Sequence, residues 1–109
     1  MHGRWWVVED AGRVVGSIAA SDIDEHRDVE LKRLYVASTH RRRGVAAHLV
    51  GEVEAHARRL GAQRVVLWTD SRFTQAHRLY QRLGYVETGE QRELDDLSNT
   101  TELEFVRDL

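Results

Sequence analysis

A change of hydrophobic period in mid-chain limits the folds open to this sequence more than any other feature. Asp28 to Val36 alternates as a strand, with Val29, Leu31, Arg33 and Tyr35 on one face and Glu30, Lys32, Leu34 and Val36 on the other. After Gly44 the alternation ends. Val45, Leu49, Val53 and Ala57 recur every four residues, with Ala46, Val50 and Leu60 beside them, the stripe of an amphipathic helix. Gly61 stands just past the last turn, where a glycine commonly stops a helix. Within 64–68, Val65-Val66-Leu67-Trp68 is a continuous apolar run, as expected of a strand covered on both faces. Strand, helix, strand in that order favours a parallel pair and therefore a mixed α/β sheet fold.

The flanking segments extend that sheet. Trp5 to Glu9 is aromatic and β-branched and predicts a strand; Asp10-Ala11-Gly12 is a turn, and Arg13 to Ala20 returns to close a hairpin. Ser21 to Arg27 is a polar connection. Ala76, Leu79, Tyr80 and Leu83 form a second helical stripe closed by Gly84, and Tyr85 to Thr88 and Glu102 to Val106 are the last strands. The expected order is β-β-β-α-β-α-β-β, a mixed and mostly antiparallel sheet with two main helices. No proline, repeat or low-complexity tract marks a boundary, so residues 1–109 are read as one domain.

Composition removes several function classes. A net charge of -2 and a pI near 6.3 argue against a nucleic-acid binder. No apolar stretch approaches the ~18 residues needed to span a bilayer, and the start, Met1 to Trp6, has no secretory apolar region. A cytoplasmic protein is the expectation. Without cysteine there is no disulfide, thiolate metal site or thiol nucleophile. The histidines form no HExxH, and His48 and His56 lie two helical turns apart, so no metal site is expected.

One turn carries chemistry. Between the third strand and the long helix lies Ser38-Thr39-His40-Arg41-Arg42-Arg43-Gly44-Val45-Ala46. The first turn of a helix has backbone N–H groups without intrahelical partners, and the helix dipole adds partial positive charge. Gly44 and Ala46 let a diphosphate approach that backbone, and three arginines add charge. Residue chemistry alone leaves open a solvated basic corner. A Walker loop and the GxGxxG fingerprint are both missing.

The pattern Arg-x-x-Gly-x-Ala after the strand Glu30 to Val36 resembles the cofactor motif of the GNAT acetyltransferase superfamily. A second stretch, Ala76-His77-Arg78-Leu79-Tyr80-Gln81-Arg82-Leu83-Gly84-Tyr85, is similar to that family's A-x-x-L-Y-x-x-x-G-F/Y segment. The likeness runs from about Trp5 to Val106, with both motifs in the family's order. It implies acetyl-CoA as co-substrate and transfer of the acetyl group to a primary amine; a non-catalytic acyl-CoA-binding module of the same fold is the alternative. Residue by residue, it implies that Leu34, Tyr35 and Val36 meet the pantetheine arm. Arg41, Arg42, Arg43, Gly44, Val45 and Ala46 take the pyrophosphate, and Arg82 reaches toward the nucleotide. Tyr80 stands near the departing sulfur and Glu30 at the place of a general base. Family members usually begin with a further strand and helices. Without those elements the sheet has a bare edge near Trp5-Trp6, for which a homodimer or a partner chain is the expected cover.

Overall fold

The computed structural model describes residues 3–109. Met1 and His2, where the start read as lacking a secretory segment begins, lie outside the described residues. The elements are β1 (Arg4–Asp10), β2 (Arg13–Ala20), β3 (Asp28–Val36), α1 (Val45–Arg59), β4 (Arg64–Asp70), α2 (Thr74–Arg82), β5 (Val86–Glu93) and β6 (Thr101–Asp108). Their order is the expected one, and the fold is mixed α/β. A 3-10 turn at Ser38–His40, absent from the expectation, precedes α1.

The strands form one six-stranded sheet in the order β1-β2-β3-β4-β6-β5. Only β3 and β4 are parallel, joined through α1; the other neighbours are antiparallel. Ala11 and Gly12 both have positive φ, 51° and 77°, a two-residue turn whose twist suits a hairpin. β5 runs well past the expected Thr88. Beyond an irregularity at Gly89, Gln91 pairs with Leu103 and Glu93 with Thr101. Its residues are all exposed, so backbone pairing makes the strand and no apolar alternation announces it.

Both helices pack on one face of the sheet. Leu49, Val50, Val53 and Ala57 of α1 and Tyr80 of α2 join Ile18, Ala20, Val29, Leu31, Val65, Leu67 and Phe105 in one core. Burying an aliphatic side chain of this size contributes about 1.5–3 kcal/mol, so the α1 stripe anchors the layer. At Gly16 the helix comes so close that a Cβ would stand 2.7 Å from Val45 Cγ1 and 3.1 Å from Leu49 Cδ1. Glu54 is the buried exception on α1. It accepts hydrogen bonds from Tyr85 Oη (2.9 Å) and Arg107 Nη1 (2.8 Å), which satisfy its charge.

Among the described residues the opposite face carries no helix. Paired residues share a face, so Trp5, Ala19 and Lys32 stand there together, as do Glu30 with Val66 and Trp68 with Glu104. Val66 is nonetheless buried, and Arg92 covers the Trp68 ring at 4.4 Å from its centroid. The expected bare edge is half a tryptophan pair. Trp5 is 55% exposed, while Trp6 packs on the core and against His56 at 5.4 Å. No helix among the described residues is long and apolar enough to cross a membrane.

Candidate active site

The parallel pair at the centre of the sheet is short. β3 and β4 are matched only at Asp28–Arg64, Val29–Val65 and Glu30–Val66. Farther along, β3 bulges: Arg33 has φ 56°, and β2 skips from Lys32 opposite Ala19 to Tyr35 opposite Ser17. An extra residue reverses the alternation, which corrects the simple reading of the strand's faces. Leu34 joins Val29 and Leu31 on the packed side, and Tyr35 turns outward, 51% exposed.

A cleft of about 950 Å³ opens where the strands part, at the upper end of the range for cofactor sites. Leu34, Tyr35 and Val36 form one wall, and Arg41, Arg42, Gly44, Val45 and Ala46 one end. Ala76, Leu79, Tyr80 and Arg82 of α2, with Leu83 just past its end, form the other wall. The α2 stripe is therefore shared. Of its members only Tyr80 is buried, because much of the stripe looks into the cleft.

The arginine turn has the geometry of an anion cradle. Arg42 (φ 64°) and Gly44 (φ 79°) are both left-handed, and Gly44 caps α1 without any side-chain hydrogen bond. No acidic residue stands in the first helical turn. The first backbone bond into the helix runs from His48 N to Gly44 O, so Val45, Ala46 and Ala47 keep N–H groups without helical acceptors. A Cβ at Gly44 would meet nothing within 4 Å; backbone conformation, not crowding, favours glycine there.

Arg43 is exposed and stands outside the cleft wall. His40 lines the wall instead. Its ring is fixed by Asp10 Oδ2 at Nε2 (2.7 Å) and by Thr39 Oγ1 at Nδ1 (2.8 Å). His40, first by hydrogen bond and then by charge, holds the Asp10 carboxyl below its ordinary value. Arg78 and Gln75 also line the cleft and were missed by sequence reading. Nothing local marks them, since they depend on how α2 is set against β3.

Tyr80 touches Tyr85 and Phe105, each with ring centroids 6.2 Å apart. Burial pushes its hydroxyl pKa up. Glu30 lies elsewhere, on the helix-free face and outside the cleft wall, with Lys32 Nζ 3.9 Å away. The acidic connection before β3 is partly structural. Asp24 Oδ1 accepts from His26 N and Asp28 N, and Asp28 holds Arg64 through two bonds. Among the described residues no group of three or more His, Asp or Glu is placed to hold a metal ion.

Splayed parallel strands that open onto an uncapped helix N-terminus are the architecture of an acetyltransferase-type α/β domain. The profile of the Acetyltransferase (GNAT) family matches residues 1–85. The chain belongs to the GNAT acetyltransferase family. It is 41% identical over 92 residues to N-acetyltransferase family 8 member 2 of Rattus norvegicus, covering 81% of this chain and 41% of that protein. To N-acetyltransferase 8 of Homo sapiens it is 37% identical over 90 residues, covering 79% and 40%. The chain thus spans about two fifths of these relatives' length. Nourseothricin acetyltransferase shares the fold at TM-score 0.90 and 24% identity, over 97% of this chain and 65% of that one. A GNAT family acetyltransferase from Elizabethkingia anophelis with acetyl-CoA bound does so at TM-score 0.80 and 19% identity, over 98% and 76%.

Proposed function

We propose that this chain is an N-acetyltransferase that moves the acetyl group of acetyl-CoA directly onto a primary amine. One observation carries the reading: a single cleft joins the uncapped, acid-free N-terminus of α1 to Tyr80. The residues present fit the co-substrate. An anion meets free N–H groups with Arg41 and Arg42 at one end, and an apolar arm meets Leu34, Ala76 and Leu79 along the walls. Arg82 serves the nucleotide end, with Arg43 at the rim.

The reaction needs a free amine. An alkyl ammonium of pKa ~10.4 is deprotonated about once in 2,500 at pH 7, so selecting that form costs about 4.6 kcal/mol. The ammonium first gives one proton to Glu30 through water; the freed nitrogen then bonds to the acetyl carbon as the carbon–sulfur bond breaks, and the second proton it sheds ends on the departing thiolate. Tyr80 donates a hydrogen bond to the sulfur as negative charge develops there. Its raised pKa keeps the phenol protonated and suits donation better than full proton transfer. In this reading a second copy of the chain covers the exposed β1 edge.

The test is thiol release from acetyl-CoA with a panel of primary amines. Release that depends on the amine, with the acetylated product seen by mass, is the expected result. Tight acetyl-CoA binding with no release on any amine would instead mark a non-catalytic acyl-CoA-binding module.

A further inference from the structure

A smaller hollow of about 280 Å³ lies on the helix-free face, between β1, β2 and the middle of β3. Trp5, Ala19, Lys32 and Arg33 wall it. Its charge is poorly neutralised. The Arg33 guanidinium lies over the Trp5 ring, 5.7 Å from the centroid, with no carboxylate partner among the described residues. Among the described residues Lys32 pairs only with Glu30, at 3.9 Å. Arg4 also borders the hollow, but its guanidinium lies over Trp6, toward the helix-covered side.

The bulge links this hollow to the cofactor cleft. Leu34 lines the cleft and Arg33, its neighbour, lines the hollow. Glu30 and Lys32 share a face two residues apart, about 7 Å along a strand. An amine beside Glu30 and an anion beside Lys32 and Arg33 are thus a few bonds apart.

We propose that the hollow is a carboxylate subsite, so that the acceptor is an amino-acid-like amine whose carboxylate rests on Lys32 and Arg33. This rests on the acetyl-transfer reading and narrows its acceptor. Stacking on Trp5 pre-organises the Arg33 fork for an oxyanion, and the indole offers apolar contact to the acceptor's side chain. A polyamine would set its second cation against Lys32 and Arg33 and is disfavoured.

The experiment compares initial rates of thiol release for α-amino acids, each beside its α-carboxamide, with spermidine as a cationic probe. The acids are expected to show kcat/KM about tenfold or more above the amides, the size of one charge-assisted hydrogen bond. That order runs against intrinsic reactivity, because the less basic amides hold more free amine at neutral pH. Lys32→Gln with Arg33→Gln is expected to raise KM for the acids and close the gap, with acetyl-CoA binding by calorimetry as the control for folding. Amides or spermidine as the better substrates would overturn the subsite while transfer itself stood. Acetyl-CoA binding without thiol release on any amine would overturn the transferase reading, and the subsite with it.

Discussion

Tyr80 and Tyr85 touch edge to face, yet the structure gives them separate work. Tyr85 donates to the buried Glu54, and burial beside that carboxylate pushes its pKa far up. Tyr80 lines the cleft, and burial is what raises its pKa. We predict that Tyr80→Phe lowers the single-turnover acetyl-transfer rate roughly 10–100-fold, because a donor to developing charge is lost. Acetyl-CoA affinity should hold within about twofold, since that donor acts mainly in the transition state. An unchanged single-turnover rate removes Tyr80 from the chemistry. Tyr85→Phe is the mirror case. It should cost about 1.5–3 kcal/mol in urea unfolding, the worth of a hydrogen bond to a charged group, and leave turnover near wild type at low temperature. Tyr80 is legible in the sequence because a helical stripe and a motif coincide on it. Glu54 is not, since it looks like one more acid on a polar helix until Tyr85 and Arg107 come to it from 31 and 53 positions away.

At the scale of the elements, the cradle depends on how closely α1 lies on β2. Gly16 is an ordinary strand glycine in the sequence, and only the packing shows its use. A methyl group there would meet Val45 and Leu49, both in the first turns of α1. We predict that Gly16→Ala displaces the cradle and weakens acetyl-CoA binding, with about 1–3 kcal/mol of destabilisation from overpacking. Calorimetric titration and thermal unfolding together check this, and unchanged affinity would uncouple the cradle from β2. The bulge at Arg33 escaped sequence reading for a related reason. Alternation assumes one residue per pleat, and an arginine at positive φ gives no warning.

Asp70 does the same kind of positioning at the start of α2. Its Oδ1 accepts from Arg72 N and Nε, and its carbonyl accepts from Phe73 N. The Arg72 side chain first, and then its backbone N–H, holds the Asp70 pKa at about 2. An acid depressed in the folded state stabilises fully above its unfolded value, about 4, and loses that contribution as pH falls through the folded one. We predict that Asp70→Asn is less stable than wild type at neutral pH and declines less steeply between about pH 4 and pH 2. Parallel pH profiles from urea unfolding would show that the Arg72 contact contributes nothing.

For the whole molecule, charge is divided along the chain. Residues 1–85 hold 14 Lys and Arg against 10 Asp and Glu, and residues 86–109 hold 2 against 8, for a net of -2. Every residue that lines the cleft, from Leu34 to Leu83, belongs to the basic part, and β5 with its acids stands at the far edge of the sheet. The insertion of β6 between β4 and β5 makes that arrangement, and no local pattern forecasts which strand returns to the middle. At the opposite end, β1 is an open edge with Trp5 55% and Val7 56% exposed. Its sequence, Arg4-Trp5-Trp6-Val7-Val8-Glu9-Asp10, is self-complementary when paired antiparallel about Val7. That register sets Arg4 of one copy opposite Asp10 of the other and places the two valines at the two-fold axis. We predict that the 109-residue chain forms a dimer through this edge, measured by sedimentation well above micromolar concentration. Val7→Lys places two like charges at the axis and should return a monomer that still binds acetyl-CoA, because the cleft lies away from β1. A wild-type monomer under those conditions leaves β1 a solvated edge and removes the second copy from the proposed assembly.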